Sequence, residues 1–156
     1  MDEAELKSKY IELQKQAHPD NFASESETVQ RLAVQKVSYL NQAFECLKSP
    51  LERAIYLLNI AGHPFDPDTQ IHSDVEFLMA QMELREALSE VTGADDPFTA
   101  LDRLLVEASE QNKQYQMDFK TEYEQSNWSQ AAVAVNKMMF ATKLLHEISE
   151  KEESLF

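Results

Sequence analysis

Glycine is the residue this chain nearly does without, with two in 156 positions. Gly62 and Gly93 both fall between runs of helical period, and no cluster exists that could cradle a phosphate or form a dinucleotide fingerprint. Nucleotide-binding enzyme classes therefore lose most of their support. Ala, Leu, Glu, Gln, Lys and Met are abundant and β-branched alternation is rare, so the expected class is all-α. The length suits one ordinary domain or two small ones.

Capping signals divide the chain. Asp2 with Glu5 opens a first helix in which Leu6, Tyr10, Leu13 and Ala17 recur at helical spacing. A second helix starts between Ser24 and Glu27 and carries Val29, Leu32, Ala33, Lys36, Val37, Leu40, Ala43, Phe44 and Leu47. Ser49 as N-cap, Pro50 at the first helical position and Glu52 at the third start another, which ends at Gly62 with Leu51, Ala54, Ile55, Leu58 and Ala61 on one stripe. The aperiodic stretch GHPFDPDTQIH then reads as a linker. Residues 1–62, 63–72 and 73–156 are thus expected to be a first domain, a linker and a second domain.

Beyond the linker, Ser73 with Glu76 begins a helix running to about Val91, Asp96-Pro97 one running to about Gln125, and Asn127 one running to about Glu150. Short connections imply an antiparallel three-helix bundle. The middle helix places Phe98, Leu101, Leu105, Ala108, Tyr115 and Phe119 on one seam.

The helix from Ser73 carries two apolar stripes where a bundle needs one. Phe77, Ala80, Leu84, Ala87, Leu88 and Val91 form a full-length core face, while Val75, Leu78, Met79 and Met82, bordered by Glu83 and Glu86, form a shorter one across the helix. The last helix repeats the pattern. Trp128, Ala131, Val135, Met138, Met139, Thr142 and Leu145 make its expected face, with Val133, Phe140 and Leu144 off it. The extra groups either pack on the first domain or form an exposed patch that another protein covers, and unbranched methionines suit an adaptable binding surface.

Formal net charge is −14, divided as −2 over residues 1–62 and −12 over 63–156. An acidic second half disfavours nucleic acid and favours a basic protein partner, or simply keeps the surface soluble. The lone Cys46 excludes an internal disulfide framework and a Cys-rich zinc site, and is expected to be a small packed side chain. With no leader-like start and no apolar run of membrane-spanning length, a cytoplasmic protein with no membrane partner is expected.

His18-Pro19-Asp20 separates the first two helices. Pro19 lacks a backbone N–H and biases His18 away from helical backbone, which accounts for the break. A break alone does not require an imidazole before the proline and a carboxylate after it. His63-Pro64 is followed by Phe65 and reads as a turn; His63, His72 and His146 show no ligand spacing, so no metal, cofactor or catalytic residue is expected.

The position of the tripeptide, after a helix bearing Lys7, Lys9 and Lys15 and before a long second helix, resembles a J-domain, the module that activates the ATPase of DnaK-type chaperones. HPDNF, LNQAFECLKSP, LERAIYLL and above all EFLMAQMELREALSE are similar to the HscB co-chaperones of iron–sulfur cluster assembly, from about Leu6 to the C terminus. The resemblance implies a J-domain-like hairpin region followed by the three-helix bundle, and a co-chaperone rather than an enzyme. Its implied chaperone-binding residues are Lys9, Lys15, His18, Pro19 and Asp20. Leu78, Met79, Met82, Glu83, Glu86 and Phe140 would hold an IscU-like cluster scaffold, and these are the groups that periodicity leaves without a core role. The implied adapter carries the scaffold at one end and triggers ATP hydrolysis by an HscA-like chaperone at the other.

Three departures follow. The chain starts inside what would be the second J-domain helix, so the family's short first helix, with its Gly-Leu-Pro-like turn, is expected to be missing. Asn21 stands where a lysine is common. The zinc-binding cysteines of eukaryotic relatives are absent, which favours the bacterial type. The rival expectation is a helical scaffold-binding adaptor whose incomplete J-domain stimulates no ATPase.

Overall fold

The computed structural model describes residues 2–67 and 74–155. Six α-helices account for most of them, and no strand occurs among the described residues: α1 Glu3–Ala17, α2 Glu27–Lys48, α3 Pro50–Ile60, α4 Val75–Glu90, α5 Pro97–Glu124 and α6 Trp128–Glu153. Pro19–Phe22 and Val91–Gly93 are single 3-10 turns. The chain forms two compact units, Met1–Tyr56 and Leu57–Phe156.

In the first unit, the carboxylate of Asp2 accepts from the amides of Ala4 and Glu5 at 2.9 and 3.1 Å, so α1 starts with two of its orphan donors satisfied. The α1–α2 hairpin is held by an aromatic pair: the Tyr10 and Phe44 rings stack with centroids 4.1 Å apart. Tyr10 Oη donates to Asn41 Oδ1 at 2.8 Å and accepts from Gln14 Nε2, so the half-buried ring keeps its polar end partnered. Ala17 of α1 and Ala33 of α2 are buried, small enough to let the helices approach closely. Leu32, expected on the inner face of α2, is instead 57% exposed, and Ala33 beside it is the residue that turns inward. Ser26 caps α2, and Ser49 caps α3 by accepting from Glu52 N.

The division between units falls within α3 rather than at Gly62 as expected. The physical reason lies in what the end of α3 touches. Leu57 O accepts from Tyr123 Oη at 3.4 Å, Leu58 is fully buried, and His63 stacks on Trp128 with centroids 4.7 Å apart. Gly62 has φ +82°, and His63 N donates to Leu58 O, the reversal that ends a helix at a left-handed residue. Residues 68–73, which include half of the expected linker, with His72, and the expected Ser73 cap, lie outside the described residues.

The second unit is a helical bundle. The cap of α4 is Asp74, whose Oδ1 accepts from Phe77 N at 2.9 Å. Phe77, Gln81, Leu84 and Leu88 are the buried face of α4, continued by Val91. Ala87, expected on that face, is exposed: at 100° per residue it lies about 80° round the helix from Phe77, whereas Gln81 lies about 40° from Phe77 and turns inward. Asp96 caps α5 by accepting from both the amide and the hydroxyl of Thr99. Leu101, Ala108 and Phe119 are buried on α5 and Tyr115 half-buried, while Phe98 and Leu105 are 46% and 39% exposed and Leu104 packs on the core in their place.

A three-residue turn reverses the chain between α5 and α6. Asn127 N donates to Glu122 O, with Ser126 in left-handed backbone at φ 59°. The buried face of α6 is Ala131, Ala134, Val135, Asn136, Met138, Ala141, Leu144 and Ile148. Leu144 was expected off the core face and is 1% exposed; Thr142, expected on it, is exposed. The helix is buried along a broad face by two neighbours, so a single narrow stripe underestimates what it hides.

Candidate functional site

The tripeptide loop is built by competition between backbone conformations. His18 adopts φ −57° and ψ 131°, extended backbone that the following proline favours, and α1 stops there. Pro19 then begins a 3-10 turn through Phe22, and His18 caps it: its Nδ1 accepts from Asp20 N at 3.3 Å. In a neutral ring that bond puts the proton on Nε2, so the imidazole is set up as a donor toward a partner. The Asp20 carboxylate lies 3.5 Å from the same Nδ1 and is almost fully exposed. Pro19 is half-buried.

Lys9 and Lys15 are exposed on α1; Lys9 pairs with Glu12 at 3.1 Å, and Lys15 stands in the last turn before the loop, where positive charge suits the helix dipole. Beside the loop a groove of about 410 Å³ is lined by Pro19, Asp20, Glu27, Gln30, Arg31 and Val34. Arg31 and Val34 were not singled out from sequence. The available signal was that Val34, 55% exposed, is apolar but out of phase with the buried face of α2.

On the second unit, the outer side of α4 carries Val75, Met79 and Met82 at 65, 56 and 71% exposure, with Glu83 and Glu86 exposed beside them. Five of the six candidate scaffold-binding residues thus lie on α4: Met79, Met82, Glu83 and Glu86, and Leu78, which is half-buried. The sixth, Phe140, is on α6, half-buried, and its ring meets Phe77 edge to face at 5.6 Å. Arg85, two turns from Leu78 on the same side of α4, pairs with Glu147 of α6 at 3.3 Å, so the side that bears Leu78 is the one turned toward α6. Phe140 lies along that seam, at the edge of the row of exposed methionines rather than in its middle.

A family model, the HSCB C-terminal oligomerisation domain, matches residues 73–149. The chain is 42% identical over 156 residues to a co-chaperone protein HscB homolog of Vibrio vulnificus (strain YJ016), covering all of this chain and 91% of that one. The chain belongs to the HscB co-chaperone family. A homolog from Aliivibrio salmonicida (strain LFI1238) is 39% identical over 150 residues, 96% of this chain and 88% of its own. Among solved structures, chaperone HscB from Vibrio cholerae superposes with a TM-score of 0.87 at 38% identity, covering 100% of this chain and 92% of that one. Human co-chaperone protein HscB superposes with a TM-score of 0.87 at 27% identity, over 97% and 75% of the two chains.

This HscB-family chain is all-α like those structures, and its relatives are co-chaperones. Iron–sulfur assembly is the family's setting. Among the described residues no three His, Cys, Asp or Glu side chains gather as a metal-binding group, and no helix is long and apolar enough to cross a membrane.

Proposed function

We propose that this chain is a cytoplasmic adapter that holds an IscU-like scaffold on its second unit and, through its first, stimulates ATP hydrolysis by an HscA/DnaK-type chaperone. The observation that carries the reading is the exposed row of Met79 and Met82 on a helix whose opposite face is closed core. Apolar side chains of that size, flanked by Glu83 and Glu86, suit a partner with an apolar surface and basic residues around it. Leu78 and Phe140 extend the row toward α6.

On the first unit, His18, Pro19 and Asp20 serve recognition rather than proton transfer. Asp20 accepts from an arginine of the chaperone, Pro19 fixes the loop, His18 donates directionally, and Lys9 and Lys15 attract acidic surface. Cluster transfer is then coupled to chaperone cycling through one polypeptide.

The test is steady-state ATP hydrolysis by an HscA-type chaperone with scaffold present, adding this protein and then its His18→Gln variant. Stimulation that disappears with the variant is the expected result. No stimulation, with scaffold binding intact, would replace this reading by that of a scaffold-binding adaptor with an inactive J-domain.

A further inference from the structure

The tripeptide loop is tied at both ends by side-chain amides. Asn21 Nδ2 donates to the carbonyl of Lys15 at 2.8 Å and to that of Gln16 at 3.4 Å. These belong to the last turn of α1, whose carbonyls have no acceptor role left within the helix. Nine residues on from Asn21, Gln30 Nε2 donates to the carbonyls of Ala23 at 3.1 Å and Glu25 at 3.0 Å, fastening the other end of the loop to the first turn of α2. Between the two ties lie only local bonds: Asn21 N to His18 O, Ala23 N to Asp20 O and Glu25 N to Phe22 O along the backbone, and the cap from Asp20 N to His18 Nδ1.

We infer that Asn21 and Gln30 are positioning residues for the chaperone contact, holding His18, Pro19 and Asp20 in the geometry a partner meets. The inference rests on the chaperone reading above. Asn21 removes a possible positive charge beside the tripeptide and supplies in its place two donors aimed back at α1. No residue from His18 to Glu25 is fully buried, and only Pro19 and Phe22 are half-buried, so the loop's population in the bound geometry depends on these ties. A loop that is ordered only part of the time binds with an apparent affinity reduced by that fraction.

The experiment compares the full chain with Asn21→Ala, Gln30→Ala and the double variant, none of which adds charge. Backbone amide order parameters from NMR relaxation read the loop; chaperone ATPase stimulation, titrated with this protein, reads the contact. Order is expected to fall at Asp20, Asn21 and Ala23. The concentration giving half-maximal stimulation should rise about two- to tenfold for each single variant, the range of one net hydrogen bond, with the maximal rate unchanged.

A thermal melt unchanged from wild type separates lost positioning from lost folding. Variants that stimulate at the wild-type concentration, or that lower the maximal rate with loop order intact, would overturn the inference. Failure of the wild type itself, alongside His18→Gln, would instead overturn the chaperone reading.

Discussion

The ammonium of Lys137 lies 2.8 Å from Oδ2 of Asp74, the residue whose other oxygen caps α4. One carboxylate therefore starts a helix and fastens it to α6, and Lys137 also sits 5.2 Å over the Phe77 ring. Asp74→Ala should lose both cap and ion pair and cost about 1–2 kcal/mol, whereas Asp74→Asn, which keeps an oxygen for Phe77 N, should cost about half as much. Urea denaturation of the three proteins checks the order.

Two turn residues offer a paired test of left-handed backbone. A Cβ at Gly62 would meet nothing within 4 Å, so Gly62→Ala isolates the cost of φ +82° and should destabilise by about 1 kcal/mol. Ser126 already bears that cost at φ 59°. Ser126→Gly should stabilise the protein by about 0.5–1 kcal/mol, read as a higher urea midpoint at unchanged slope.

Met82 and Phe140 are both candidate scaffold contacts but differ in what else they do. Met82→Ala should weaken scaffold binding while changing stability by less than about 0.5 kcal/mol, because the side chain is 71% exposed. Phe140→Ala should weaken binding and also cost about 2 kcal/mol through its lost contact with Phe77. Calorimetric titration with scaffold, run beside thermal melts, distinguishes the two. Scaffold affinity that survives the double variant would refute the assignment of this surface.

Tyr115 titrates above its usual range because burial disfavours the phenolate, with Asp118 and Asp74 adding like-charge repulsion. The folded state thus holds the phenol's proton more tightly than the unfolded chain does. The associated stability is complete below pH about 10 and is lost as pH rises through the folded value. Tyr115→Phe should flatten this alkaline decline, measured as the melting temperature against pH with spectrophotometric titration of the phenol.

Helix boundaries were legible because they are written in local chemistry. Asp2, Ser49 and Asp96-Pro97 satisfy amides within three residues of themselves, and that requirement is visible in any window of sequence. The doubled stripe of α4 was legible for the same reason: opposite sides of one helix are fixed by 100° per residue, and Met79 and Met82 had to point away from Phe77 and Leu84.

Local residue chemistry thus specifies the set of helices, the break at Pro19 and the presence of a second apolar face. Tertiary structure decided which of several near-equivalent positions goes inside: Gln81 rather than Ala87 on α4, Leu104 rather than Leu105 on α5, Leu144 rather than Thr142 on α6. It also decided that α3 ends against α5 and α6, through Leu57 with Tyr123 and His63 with Trp128, some sixty-six residues away in the chain. Such contacts are settled by packing between helices, where a rotation of tens of degrees exchanges one neighbour for the next, and no local rule of propensity or capping distinguishes the alternatives.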